Sequence, residues 1–322
     1  MENQNYDQGN AKRSFGRLGA ALLLLFGLYV LGQYLLDWIL RAVPDFGRFI
    51  EETPFLEWIY SMIPLYGIAI PPAVLLLDRM PTYRPQISKL RTIHFLEFIP
   101  ISLFIMYSGN IAGTVLSFLL TGGAATNPVA DFLEDNTLLK VISVVILAPL
   151  VEEFVFRKKI IDHCLPYGEK WAILLSAVVF GLFHGNFFQF FYAAGLGLLQ
   201  GYIYVRTGRL WYTILLHGIV NFMGGVIAPY IVKFSENAGV TESVNPGTAL
   251  LLMLVFLYVC VLLTMFVLGL IRMIIRCKQL TWIPGEQELP KGTGFKTVFL
   301  NPTMILFTLL CVAMMVVSLF MT

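Results

Sequence analysis

Leu150–Arg157 reads L-V-E-E-F-V-F-R and interrupts an apolar run that begins near residue 138. A run of about 20 apolar residues spans a bilayer. Ionisable groups inside one cost roughly 2.5–3.5 kcal/mol each on insertion scales, so an intramembrane Glu pair points to function. Further apolar runs lie on either side, and together they occupy about 18–40, 55–77, 95–121, 138–156, 171–187, 188–205, 210–232, 248–271 and 303–321. The chain is 57% hydrophobic and 13% charged, against about 45–50% and 25% in soluble domains. The expected fold is all-α: a polytopic integral membrane helical bundle of about nine transmembrane helices, multi-pass in the cell membrane. The 171–205 region is read as two spans broken near Gly185 and Asn186.

Charge placement orients the bundle. With the N-terminus cytoplasmic, the inward segments carry Lys12, Arg13, Arg17, Arg79, Arg84, Lys89, Arg91, Arg157, Lys158, Lys159, Lys170, Arg206, Arg209, Arg272, Arg276, Lys278, Lys291 and Lys296. Only Arg41, Arg48, Lys140 and Lys233 of the 22 basic residues fall outside. That asymmetry follows the positive-inside rule and places the C-terminus outside. The chain divides into a cytoplasmic tail (1–17), N-terminal helices and loops (18–137), a catalytic core (138–232) and C-terminal helices (233–322). An acidic outer loop over 122–137 carries Asp131, Glu134 and Asp135. Cys164, Cys260, Cys277 and Cys311 show no C-x-x-C spacing and are expected to be buried thiols. Asp37, Glu57, Glu97, His94 and His163 lie near the ends of runs or in loops and are read as interfacial. Gly195, Gly197 and Gly201 suit close helix packing. The 279–300 segment reads as a Pro/Gly-punctuated loop with no assigned chemistry.

At about 100° per residue, Glu152 and Glu153 point in different directions on a helix. Glu153 and Arg157 are four apart, in the order that favours pairing. Glu152 has no cation nearby in sequence, and a lone carboxylate in a dry site suits a general base. Two histidines from other spans join this pair: His184 in F-G-L-F-H, and His217 in L-L-H-G-I-V-N, four residues before Asn221. Counted from the charged ends of their helices, these groups share one depth only if Arg157 is submerged by pairing with Glu153. The chain contains no H-E-x-x-H, no G-x-S-x-G, no G-x-G-D and no Walker A run. A zinc-protease helix, a serine nucleophile elbow, an aspartyl dyad and nucleotide binding therefore have no support.

E-E-x-x-x-R at 152–157, F-x-x-x-H at 180–184 and H-x-x-x-N at 217–221, in that order on successive helices, resemble the CPBP family of intramembrane proteases. That family includes the CAAX prenyl endopeptidases of the Ras-converting type and the bacterial Abi or bacteriocin-processing proteins. The likeness covers about residues 138–232. It implies that Glu152 with His184 activates water for attack on a peptide carbonyl and that His217 and Asn221 stabilise the oxyanion. Glu153 and Arg157 would orient the site, with Phe180 packed beside His184. Metal dependence stays open: Glu152, His184 and His217 are the candidate ligands for Zn²⁺, and a metal-free glutamate mechanism serves equally.

The expected function is an intramembrane endopeptidase that cuts a membrane-associated or lipidated peptide or protein near the cytoplasmic face. Its partners are that substrate and the lipid bilayer, with no nucleic acid or nucleotide. The alternative is a non-enzymatic immunity or regulatory protein that binds a peptide or sensor through the same helices. A proton-coupled transporter is disfavoured, because no inverted repeat of interrupted helices is visible.

Overall fold

The computed structural model describes residues 8–127, 138–231 and 246–320, and no strand occurs among them. The helices are α1 (Gln8–Ala42), α2 (Pro44–Glu51), α3 (Pro54–Leu77), α4 (Thr92–Thr121), α5 (138–164), α6 (Glu169–Phe183), α7 (Phe187–Thr207), α8 (Leu210–Ile231), α9 (Pro246–Lys278), α10 (Gly294–Phe299) and α11 (Pro302–Ser318). Each of the nine apolar runs coincides with one of the longer helices. Five helices among the described residues are long and apolar enough to cross a membrane: α1, α3, α4, α8 and α9. The protein is a multi-pass, all-α membrane protein. The acidic residues of the 122–137 segment and Lys233 lie outside the described residues.

The other four helices that coincide with apolar runs, α5, α6, α7 and α11, carry charge or are short. With 15 residues, α6 is about 22 Å long at 1.5 Å per residue, less than a hydrocarbon core of about 30 Å. It stops at His184 because the chain turns there. Gly185 adopts φ +66°, a left-handed conformation that a side chain resists. Asn186 then caps α7, its side-chain oxygen accepting from the Gln189 N–H. The α6–α7 break thus falls where two spans were expected to part.

Prolines shape the spans as well. Wide π-helical turns occupy Ile63–Ala69 before Pro71, Ser143–Leu147 before Pro149, and Met223–Ile227 before Pro229. Proline offers no N–H, so carbonyls one turn earlier lose their donor and the helix bends. In α5 the Ala148 N–H reaches back to the Ser143 carbonyl, so the carbonyl that Pro149 leaves without a donor is that of Val144.

The main core joins α1, α3, α5, α6, α7 and α11 through residues such as Phe15, Leu22, Ala73, Phe156, Ile160, Leu175 and Phe307. Two smaller clusters tie α4 to α7 and α8, one through Phe98, Ile203 and Leu216 and the other through Leu103, Leu196 and Val220. Lipid tails are as apolar as leucine, so close fit rather than water exclusion drives such contacts. On α4, Gly109 and Gly113 lie against the start of α7. A Cβ at Gly113 would sit 2.3 Å from the Phe187 carbonyl oxygen, and one at Gly109 2.5 Å from the Tyr192 nitrogen. Gly197 likewise faces the Ala177 backbone of α6, as the glycine pattern of that span predicts. Peripheral α9 packs along α4 and is anchored by Arg272 and Arg276 on Glu97. Glu97 is therefore paired rather than simply reaching water.

Two loops close the basic end of the bundle. In the segment after α3, Ser88 N–H donates to the Thr207 carbonyl and Leu90 N–H to the Tyr212 hydroxyl. Tyr83 N–H donates to the Asp162 carbonyl, and Tyr204 donates to the Asp162 carboxylate at 2.8 Å. His163 differs from its interfacial reading: it lies in the last turn of α5, is buried, and meets the Pro81 carbonyl at 2.8 Å. The cause is this loop, which folds back over the end of α5. The 279–293 segment docks beside it: Ile283 N–H donates to the Glu169 carboxylate and Gln287 N–H to the Pro166 carbonyl. Of the thiols, Cys164 and Cys311 are buried, but Cys277 is exposed where α9 runs past the bundle.

Candidate active site

The carboxylate pair on α5 divides between two environments. Glu153 is fully buried, and its Oε2 lies 3.2 Å from the Arg157 Nε one turn on. Arg157 is equally inaccessible, which submerges the arginine as the depth argument requires. Its NH1 group donates to the Ser176 hydroxyl at 3.2 Å and its NH2 group to the Gln200 side-chain oxygen at 2.8 Å. The Phe180 ring covers the guanidinium at 4.5 Å, a cation–π contact of the kind that strengthens once water is excluded. Ser176 passes its own proton to the Phe156 carbonyl at 2.6 Å. An arginine this deep is held by a carboxylate, a hydroxyl, an amide and a ring, contributed by three helices.

The other Oε of Glu153 meets His217 Nδ1 at 2.9 Å. A carboxylate accepts, so Nδ1 carries the hydrogen and the ring is oriented with Nε2 outward. That Nε2 stands 3.8 Å from Glu152 Oε2. His184 is arranged in the same sense: its Nδ1 faces the Phe180 carbonyl at 2.8 Å, leaving Nε2 free of the helix. Both imidazoles stand edge-on to the Phe180 ring, with centroids at 4.8 Å for His184 and 5.8 Å for His217. Phe180 is thus the hub around which α5, α6 and α8 bring their polar groups together. Glu152 keeps 24% of its side chain accessible, whereas Glu153 keeps none. Tyr66 of α3 and Tyr192 of α7 lie within electrostatic reach of Glu152.

Asn221 has a partner that its spacing did not announce. Its Nδ2 donates at 2.8 Å to the Val144 carbonyl, which Pro149 leaves without a helical donor. The neighbouring Val145 carbonyl faces Gly218, where a Cβ would come within 2.8 Å of its oxygen. Gly218 and Asn221 therefore seat α8 on the bend of α5 and fix His217 against Glu153. Gly218→Val is expected to force the helices apart. We expect a loss of about 1–3 kcal/mol, the usual cost of overpacking, read as a lower thermal midpoint in detergent, and an unchanged midpoint would contradict this seating.

Beside the site, α3, α5 and α8 enclose an apolar cleft of about 620 Å³ lined by Trp58, Met62, Tyr66, Leu150, Val151, Phe154, Leu210 and Ile214. Among the described residues no three His, Cys, Asp or Glu side chains converge as a metal site.

Residues 134–223 match the family model for type II CAAX prenyl endopeptidase Rce1-like proteins. This segment is similar to the Rce1-like proteins. It contains α5 to α7, the first part of α8 and all three motifs. Two curated relatives agree with it. One, from Bacillus subtilis (strain 168), is described as "Putative membrane peptidase YdiL" and is 28% identical over 123 residues, 36% of this chain and 49% of its own length. The other, "CAAX prenyl protease 2" of Homo sapiens, is 31% identical over 100 residues, 24% of this chain and 30% of its own. The chain thus spans half or less of the length of these relatives. No solved structure matches it. The Rce1-like segment includes the whole Arg157–Glu153–His217–Glu152 series, whereas Trp58, Met62 and Tyr66 of the cleft lie outside it.

Sequence reasoning missed Ser176 and Gln200. Gln200 was legible as a lone amide in the middle of an apolar span. Ser176, one small hydroxyl among many, gave no signal.

Proposed function

We propose that this protein is an intramembrane endopeptidase that hydrolyses a peptide bond in a membrane-associated or lipidated peptide or protein near the cytoplasmic face. The observation that carries the reading is the contrast between two neighbouring carboxylates. Glu153 is spent on Arg157 and His217, while Glu152 is accessible and faces an imidazole. Environments that separate paired acids in this way assign them different roles.

In the proposed reaction Glu152, with His184 beside it, takes a proton from water as the water oxygen attacks the peptide carbonyl. The resulting oxyanion is held by His217 and Asn221. To donate from Nε2, His217 carries hydrogen on both nitrogens, its charge facing Glu152 and Glu153. Collapse of the tetrahedral species breaks the C–N bond, and the proton held by Glu152 leaves with the amine. The second Nδ2 hydrogen of Asn221 serves the oxyanion while the first stays on Val144. The apolar cleft receives the hydrophobic part of the substrate and presents its peptide to Glu152.

His217→Ala and Asn221→Ala test this assignment. Each is expected to lower turnover by about 10²–10³, as loss of an oxyanion donor does, with substrate capture nearly unchanged. Asn221→Ala should also lower the thermal midpoint, because Val144 loses its donor. A collapse of binding with turnover intact would remove both residues from the chemistry.

A further inference from the structure

We infer that Gln200 and Ser176 are positioning residues for hydrolysis: they fix the Arg157 guanidinium, and through it Glu153 and His217, in the geometry the reaction uses. This rests on the endopeptidase reading and deepens it. The geometry is a chain of contacts across four helices. Gln200 on α7 accepts from Arg157 at 2.8 Å, and Ser176 on α6 accepts at 3.2 Å. Arg157 on α5 meets Glu153 at 3.2 Å, and Glu153 meets His217 on α8 at 2.9 Å. The last link is the 3.8 Å approach of His217 Nε2 to Glu152.

Each link except the last is inaccessible to water, so a displaced group has no solvent to fall back on. Gln200 is 0% exposed, and its Nε2 has no partner among the described residues. A buried amide that leaves one end unsatisfied is held for what its other end does. Here that end is an oxygen aimed at a guanidinium. A neutral acceptor also suits the charge balance. Glu153 supplies the single negative charge opposite Arg157, and Gln200 adds direction without competing for it. Ser176 works in the same way, because its own hydrogen is committed to the Phe156 carbonyl. The arginine can therefore neither swing away from Glu153 nor draw closer to it, and the carboxylate keeps its second oxygen on His217.

The test is Gln200→Met, which fills nearly the same space without an acceptor. Removing a partner that orients a functional histidine typically costs about 10–100-fold. Gln200→Met should lower kcat within that range while KM stays within about threefold. Full turnover in Gln200→Met, or a loss confined to KM, would overturn the inference. If Gln200→Met fails to accumulate, Ser176→Ala carries the same kcat-against-KM expectation.

A second readout needs no substrate. The ¹⁵N spectrum of His217 should show a protonated, hydrogen-bonded Nδ1 in the wild type, and that signal should shift or broaden in Gln200→Met. An unchanged imidazole spectrum would sink the positioning role even if no substrate were cut. A wild type without hydrolysis but with the expected spectral change would instead locate the failure in the endopeptidase reading.

Discussion

Glu152→Gln lowers hydrolysis by about 10³-fold or more and leaves the protein at its normal level in the membrane. The size follows from the role, since a positioned general base contributes about 10²–10⁴-fold. Glutamine keeps the shape and hydrogen-bonding reach of the side chain but takes no proton from water. The normal level follows from the surroundings. Glu152 is partly accessible and stands 3.8 Å from the outer nitrogen of His217, so little of the fold depends on its charge. Glu153→Gln, one residue on, would disturb both partners of a buried carboxylate. Turnover and membrane abundance measured on the same preparations separate the two. Full-rate hydrolysis by Glu152→Gln would remove Glu152 from the mechanism, and loss of the protein itself would make its role structural.

Arg157→Met is expected to be the most destabilising single change at the site. It leaves Glu153 charged, without water and without its cation, and breaking a buried pair from one side costs about 3–5 kcal/mol. That is a large part of an ordinary folding free energy of about 5–15 kcal/mol. Ser176 and Gln200 lose their shared donor in the same step. Removing both charges together, as Glu153→Leu with Arg157→Met, should recover much of the lost stability, because an apolar pair replaces a buried ionic one at little net cost. It should not recover hydrolysis, since His217 has then lost the acceptor that orients its Nδ1. Thermal midpoints in detergent and turnover, measured for wild type, single and double variants, check both halves. A single variant as stable as the wild type would contradict the buried pair.

The fold was legible because the bilayer imposes long apolar runs with charged ends, and each of the nine runs is a helix. The Glu153–Arg157 pair was legible from helical spacing, and Phe180 beside His184 was what the family resemblance implied. What the spacing could not show were the contacts made across the bundle. The grip of Asn221 on Val144 depends on Pro149 freeing a carbonyl on another helix. Gln200 and Ser176 find Arg157 only once α6 and α7 fold against α5. His163 reads as a loop residue in one dimension and is buried because the segment after α3 returns to cover it.

The central claim is that water reaches Glu152 inside the membrane and cuts a peptide there. Comparing the peptide termini in membranes that carry the wild type with those that carry Glu152→Gln at equal levels tests it most directly. The account predicts new termini in wild-type membranes at positions near the cytoplasmic face, with the uncut precursors accumulating in the Glu152→Gln membranes. Identical peptide inventories, with whatever biological effect the protein has preserved in Glu152→Gln, would contradict it and leave a binding protein in its place.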